Sequence, residues 1–421
     1  MIVEIINTGS ELMLGSVLNT HQQWLCRKLA DLGYVVDRQV AVPDTGSAIQ
    51  QAVREALSRA DLIITTGGLG PTSDDLTRQR IAELLGRTLK EDSAVLAQIE
   101  RFFSVRNRPM PERTKVQALV PDGAIVLPNA HGTAPGLAIE VLPSLLRRSD
   151  RPAILILLPG PPRELHPMFL DQVVPLLRAR LPLETPFLCR VVRTAGLGES
   201  MVEERIGGPL QPLLERGLEL GYCAKFGEVD VRLAARGADA EAAVLEAERI
   251  VRPLLGRHVF GMDDDDLEGV VIRLLTERRM TVAIAESCTG GFISHCLTNV
   301  PGASAVFLGG AVTYSNAAKQ AFLGVKPETL EADGAVSESS AREMAEGVRQ
   351  RHQSDLGLAV TGIAGPGGGT SEKPVGTVFI ALASPERTVA LRCLNPYDRA
   401  TFKFITSRQA LDLLRRTVLG S

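Results

Sequence analysis

The alternation of apolar and polar positions divides the chain into strand-like runs and helical faces. It opens with the apolar run Ile2 to Ile6, then sets Trp24, Leu25, Leu29 and Leu32 at helical spacing before the strand-like segment YVVDRQVAV. The cycle repeats: Ile49, Val53 and Leu57 share a helix face, DLIITTGG reads as a strand ending in a glycine turn, and LTRQRIAELL as the next helix. Strands joined through helices cross over in the right-handed sense, which predicts a parallel sheet covered on both faces. A further apolar run, AILILLPG, extends this unit over residues 1–177.

Beyond Pro182 the texture changes. FLCRVVRT and VDVRLAARG read as strands and EAAVLEAERIVRPLL as an amphipathic helix, which predicts a small α+β module over 178–262. The acidic run Asp263 to Asp266 reads as a solvated hinge or helix start. Residues 263–421 then return to an α/β pattern: helix VVIRLL, strand TVAIAES, the glycine-opened helix FISHCLTNV and the strand-like AVFLGGAVTYS. A helix from SARE to VRQR, strand DLGLAVTG, a glycine-rich loop, strand VGTVFIALA and a terminal helix complete it. No internal repeat links the two α/β parts.

Composition narrows the function classes. With 46 basic and 49 acidic residues in 421, the net charge of -3 argues against a field built to attract nucleic acid and for small-molecule ligands. The six cysteines never form a CxxC pair, and no His/Cys cluster has zinc spacing, so reduced cytosolic thiols are expected. No stretch reads as an export signal or a bilayer span, which predicts a cytoplasmic protein without a membrane partner.

Two constellations carry chemistry. In the C-terminal part, TVAIAES runs directly into CTGG, which places Ser287, Cys288, Thr289, Gly290 and Gly291 at a strand-to-helix turn. Outward N–H groups there suit a phosphate or an oxyanion, although the glycine pair would equally permit close strand–helix packing. PGASAVFLGGAVTYSNAAK supplies Ser304, Tyr314 and Lys319. Hydroxyls near an amine are what a nucleophilic amidase without a histidine base requires, because a desolvated lysine can accept a serine proton. Each residue also has a plain structural use, as turn cap, half-buried strand residue or surface lysine. TGIAGPGGGTSEKPVG follows a strand and offers a run of N–H groups, with Thr361 placed to present its hydroxyl to the same cavity.

Taken in order, ESCTGG, GASAVF, VTYSNAAK, GAVSE, TGIAGPGGG and KPVGTV resemble the C-terminal domain of the CinA (competence/damage-inducible) family, over nearly everything from Leu267 onward. The resemblance implies an amidase that converts nicotinamide mononucleotide (NMN) to nicotinic acid mononucleotide and ammonia, with no metal. By motif match it implies Ser304 as nucleophile and Lys319 as its base, with Ser287 and Tyr314 completing a hydrogen-bond relay. Cys288 is the second candidate nucleophile, since a thiol at a helix N-terminus can be acidified. Substrate would lie against Thr289, Gly290 and Gly291, with its phosphate against Thr361, Gly362 and Gly365 or the side chain of Arg399.

In the N-terminal part, TTGGLGPTSDDLT follows a strand and precedes a helix, so Gly67, Gly68, Gly70, Thr72, Asp74 and Asp75 fall at the ligand-binding edge of an open sheet. The segment has neither the third glycine of a dinucleotide fingerprint nor a GK[ST] element. Its paired aspartates would cap the next helix or hold a hard cation that bridges a diphosphate. LPNAHGTAPG and LPGPPREL bring Asn129, Gly132, Thr133, Gly160 and Glu164 toward the same pocket. Together with TGSELMLGSVLNT, which holds Gly9 and Glu11, these loops resemble the N-terminal domain of the same family, a three-layer molybdopterin-binding-like fold. That resemblance implies a metal-dependent ADP-ribose pyrophosphatase yielding AMP and ribose 5-phosphate. Asp74, Asp75 and Glu164 would handle a divalent ion, magnesium or cobalt, with or without a monovalent helper. His21 departs from the NTN that the family pattern usually has there.

The middle module resembles the KH-like insert of the family, yet RTAGLGES and KFGEVDVRL lack the basic GXXG loop that grips nucleic acid, which leaves a structural or dimer-forming role. The resemblance implies a homodimer. Two other classes stand beside the bifunctional hydrolase: a molybdopterin-handling transferase, suggested by fold alone, and a non-catalytic adaptor of DNA uptake or repair. Near-neutral charge and 4% aromatic residues disfavour the adaptor.

Overall fold

The computed structural model describes residues 1–420, which divide into two compact units, Met1–Leu188 and the described residues from Cys189 onward. In the first unit the apolar runs become β1 (Val3–Thr8), β2 (Arg38–Val42) and β3 (Leu62–Thr66), connected through α1 (Ser10–Met13), α2 (Thr20–Asp31) and α3 (Gly46–Leu57). Then follow α4 (Thr77–Leu84), α5 (Ser93–Ser104) and a small antiparallel ribbon of β4 (Leu89–Glu91) with β5 (Leu119–Pro121). The last elements are β6 (Ile125–Leu127), β7 (Gly136–Val141), β8 (Ala153–Leu158), α6 (Pro162–Met168) and α7 (Val174–Arg180).

The sheet order is β2-β1-β3-β8-β7-β6. Strands β2, β1, β3 and β8 pair in parallel, as the helical crossovers require, while β7 runs antiparallel between β8 and β6. Alternate positions of β1 feed opposite layers, with Val3 and Ile5 packing on Leu25 and Leu29 of α2 and Ile6 on Ile49 and Val53 of α3. The result is a three-layer helix–sheet–helix sandwich whose parallel strands end at one edge.

The second unit begins with a four-stranded sheet, order β10-β11-β9-β12, built from β9 (Phe187–Ala195), β10 (Glu219–Lys225), β11 (Glu228–Arg236) and β12 (Val259–Met262) with α8 (Glu199–Leu214) and α9 (Ala240–Leu255). The acidic run is built into the chain and is not a free hinge. Asp263 accepts from Val191 N, and Asp266 caps α10 (Leu267–Arg278) through Gly269 N.

Beyond it, β13 (Val282–Glu286), β14 (Phe307–Val312) and β15 (Leu356–Gly362) run parallel, and β16 (Thr377–Ala383) and β17 (Thr388–Leu394) continue antiparallel, giving the order β14-β13-β15-β16-β17. One face packs α10, α11 (Phe292–Thr298) and α15 (Arg399–Leu419) through Leu275, Ile293, Phe402 and Leu411. The other packs α12 (Asn316–Leu323), α13 (Pro327–Ala332) and α14 (Glu338–His352) through Leu323, Leu330 and Met344. Gly357 sets the spacing of this layer, since a Cβ there would stand 2.1 Å from Ala345 O of α14. No helix among the described residues is long and apolar enough to cross a membrane.

Candidate active site and nucleotide cleft

Register places the C-terminal site. Glu286 at the end of β13 is paired with Val312 of β14 and with Val360 of β15, so Ser287, Thr313 and Thr361 leave the sheet side by side. Ser315 caps α12 by accepting from Ala318 N, and this helix carries Lys319 back toward the edge. The Lys319 ammonium donates to Ser287 Oγ at 3.0 Å and to Thr313 O at 2.7 Å. Lys319 is 1% exposed, and no carboxylate among the described residues pairs with it. Burial therefore holds its pKa below the ordinary lysine value, with neighbouring Cys288 the smaller, opposing influence. A lysine so placed is neutral at lower pH than usual and can take a proton from the serine it touches.

The structure separates Ser304 from Lys319. Ser304 sits exposed in the turn Ala303–Ala305 that precedes β14, whereas Lys319 follows it. A six-residue strand at about 3.3 Å per residue puts roughly 20 Å between the two ends. Ser304 thus lies at the opposite edge of the sheet, and the hydroxyl that meets the lysine is that of Ser287.

Three further expectations are corrected. Cys288 is buried, and desolvation pushes its thiol up to about 12, overriding any acidification by the following helix; a thiol held protonated at neutral pH is poorly suited to act as nucleophile. Thr361 does not present its hydroxyl to a cavity but donates it to Ala335 O at 2.7 Å. Tyr314 is 63% exposed, and its hydroxyl accepts from Arg399 Nη2 at 2.7 Å in place of a relay to Ser287. Arg399 Nη1 donates to Gly365 O, also at 2.7 Å, so Arg399 ties Tyr314 to the glycine loop. Gly362 is a packing glycine, since a Cβ there would stand 2.9 Å from Thr377 O.

The sequence reading missed Glu286. Its buried carboxylate accepts from Gly291 N, Ile293 N and Ser294 N at 2.9, 3.2 and 2.9 Å and from Ser294 Oγ at 2.8 Å, capping α11 from the preceding strand. The only sequence signal is an acid immediately before the Ser-Cys-Thr-Gly-Gly turn. Ser287 N donates to Val360 O and Gly290 N to Ser287 O, so among the described residues the turn N–H groups left without a backbone carbonyl are those of Cys288 and Thr289. They follow Ser287, the position where an oxyanion is held when a reactive serine tops a strand-to-helix turn. Glu286→Ala is expected to lower the unfolding free energy by about 2–4 kcal/mol, because three helix N–H groups lose an ionised acceptor. Urea denaturation checks this, and an unchanged midpoint would show that the cap does not hold the turn.

In the first unit the strand ends form a cleft of about 590 Å³. It brings together Gly9, Glu11, Gly67, Gly68, Gly70, Asp74, Asp75, Thr133, Gly160 and Glu164. The turn after β3 demands its glycines: Gly67 and Gly68 have φ of +94° and +67°, and a Cβ on Gly68 would come 2.1 Å from Thr77 Oγ1. Behind this turn Arg78 is buried, donating to Leu69 O at 3.3 Å; desolvation lowers it to about 10, Asp75 opposes the shift, and it stays charged at neutral pH. Such a charge beneath a glycine turn favours an anion in front of it.

Asn129, Gly132 and Thr72 stand behind the lining as supports. Asn129 donates to Glu164 Oε2 at 2.8 Å and to Ala134 O at 2.7 Å, Gly132 leaves room for Glu164, and Thr72 N donates to Asp75 Oδ2 at 2.8 Å. Asp44, Gln117 and His21 also line the cleft. Burial pulls His21 below the ordinary histidine value, so its ring is neutral at pH 7. Among the described residues no three His, Cys, Asp or Glu side chains gather as metal ligands. Asp74, Asp75 and Glu164 therefore do not fit a preformed metal cage.

Comparison with known proteins matches three family models in succession. Residues 4–179 match a probable molybdopterin binding domain, 189–261 the damage-inducible protein CinA KH domain, and 264–418 the CinA C-terminal domain. A "Putative competence-damage inducible protein" of Moorella thermoacetica is 44% identical, with 99% of each chain covered. A "CinA-like protein" of Akkermansia muciniphila is 45% identical, covering 97% of this chain and 95% of the relative. The similarly described protein of Symbiobacterium thermophilum is 46% identical over 100% of this chain and 99% of its own length.

Proposed function

This chain belongs to the CinA family, and on that footing we propose that its C-terminal part is a serine amidase acting on the carboxamide of nicotinamide mononucleotide. The observation that carries the reading is the contact between a buried lysine without a carboxylate partner and a serine hydroxyl at 3.0 Å, at the head of a turn whose Cys288 and Thr289 N–H groups meet no backbone carbonyl among the described residues. Neutral Lys319 takes the Ser287 proton as Oγ attacks the carboxamide carbon. The oxygen that gains negative charge faces Cys288 N–H and Thr289 N–H. Lys319 then returns the proton to the amide nitrogen, the C–N bond breaks, and ammonia leaves a nicotinyl ester on Ser287. Water attacks that ester with Lys319 again accepting a proton, releasing nicotinic acid mononucleotide and restoring the serine. Incubation of the full-length protein with NMN tests the reading: ammonia and an acid product with Ser287 as the acylated residue support it, and recovery of intact NMN refutes it.

For the first unit we propose a binding site for a nucleotide diphosphate of the ADP-ribose type, supported by the cleft and the charged Arg78 behind its glycine turn. The scattered carboxylates do not cage a metal, so binding is the part of this reading that the residues support directly. Calorimetry with ADP-ribose and with a pterin separates the two ligand classes, and binding of pterin alone would replace this proposal with a molybdopterin-handling role. Product analysis with added magnesium or cobalt then asks whether bound ADP-ribose is cleaved to AMP and ribose 5-phosphate.

A further inference from the structure

The turn from Ser287 to Gly291 is overlooked by the first turns of α15. Lys403 reaches over it, with its ammonium 3.6 Å from where a Cβ on Gly290 would stand. Arg399 lies four residues earlier, hence on the same helix face, and its guanidinium donates to two neutral acceptors, Tyr314 Oη and Gly365 O. No carboxylate among the described residues pairs with either cation. Asp398, the nearest acid in sequence, is turned to Ala400 N, Thr401 N and the Thr401 hydroxyl. The other cations of this helix behave differently: Arg408 pairs with Glu268 and Glu228, and Arg415 and Arg416 with Asp412. Thr289, in the turn beneath Lys403, is fully buried with its hydroxyl unpartnered. Unpaired polar groups thus concentrate where α15 meets the reactive serine.

We propose that Lys403, acting with Arg399, recognises the phosphate of the substrate and makes this site prefer a nucleotide to the corresponding nucleoside. The inference rests on the amidase reading above and names the group that selects its substrate class. With the carboxamide at Ser287, the phosphate lies one ribose away; the turn keeps its first and fourth residues within about 7 Å, so Lys403 stands at a matching remove. Two cations without counter-ions meet a phosphate dianion without first breaking ion pairs of their own.

The test compares NMN with nicotinamide riboside, which differs from it by the phosphate alone. Lys403→Ala should lower kcat/KM for NMN about tenfold or more, the typical value of one charge-assisted hydrogen bond, chiefly through KM. The riboside should lose much less, and Lys403→Arg should recover most of the preference. Equal losses on both substrates, or an unaltered KM for NMN, would overturn the assignment. Calorimetry of NMN on the Ser287→Ala protein, with and without Lys403→Ala, reads the phosphate contact without turnover. If the wild-type protein releases no ammonia while NMN binding still depends on Lys403, the amidase reading fails and the phosphate role stands. If ammonia is released and the preference ignores Lys403, the converse holds.

Discussion

Ser287→Ala is expected to reduce ammonia release from NMN by about a thousandfold or more, while Ser304→Ala keeps most of the activity. The alanine removes the hydroxyl that Lys319 donates to and leaves the amine bonded to Thr313 O, so the fold should survive while the proposed nucleophile is gone. Ser304 is solvent-exposed in a turn at the far end of β14, and its loss should cost stability no more than a surface substitution does. Steady-state rates with a thermal melt of each variant decide the matter. An inactive Ser304→Ala beside an active Ser287→Ala would reverse the assignment.

Lys319→Arg should be comparably damaging. A guanidinium can donate to Ser287 and Thr313 as the ammonium does, but it does not deprotonate in the working range and cannot serve as base, so a loss of about a thousandfold is expected with the charge retained. The wild-type rate should rise with pH through the lowered pKa of Lys319, reaching its plateau below the 10.5 of an ordinary lysine. Stability should follow the same group. Between its lowered value and 10.5 the unfolded chain binds the proton that the folded chain refuses. The burial penalty is accordingly absent above that window and complete below it, so this lysine makes stability rise with pH. An arginine variant with substantial activity, or a wild-type rate that falls as pH rises through this range, would remove Lys319 from the role of base.

The contrast between the two serines shows what sequence reasoning reaches. ESCTGG and YSNAAK are legible as chemistry, and AVFLGGAV is legible as a strand between Ser304 and Lys319. What decides the pairing is that β14 runs parallel to β13, which sends the residue before the strand to one edge and the residue after it to the other. Glu286 stayed hidden because a buried strand-end carboxylate has no periodicity of its own; only the three N–H groups converging on it reveal its role. In the first unit, the glycine turn and its ligand edge follow from TTGGLG after a strand. Asp44 and Gln117 reach that cleft from segments with no motif, so only the fold brings them in. The return strand β7 escaped because a six-residue run that is buried at five positions carries too little alternation to show its direction or its pairing.

The Glu286 cap has a consequence for selectivity. Helix N-termini ordinarily attract dianions, yet here the Glu286 carboxylate already occupies that end of α11, which leaves only the Cys288 and Thr289 N–H groups of the turn without a backbone acceptor among the described residues. A phosphate entering the turn would meet like-charge repulsion from behind, whereas an amide oxygen arrives neutral and becomes negative only during reaction. On the amidase reading, the same carboxylate that stiffens the turn would keep the substrate's phosphate away from the serine and leave that place to the carboxamide.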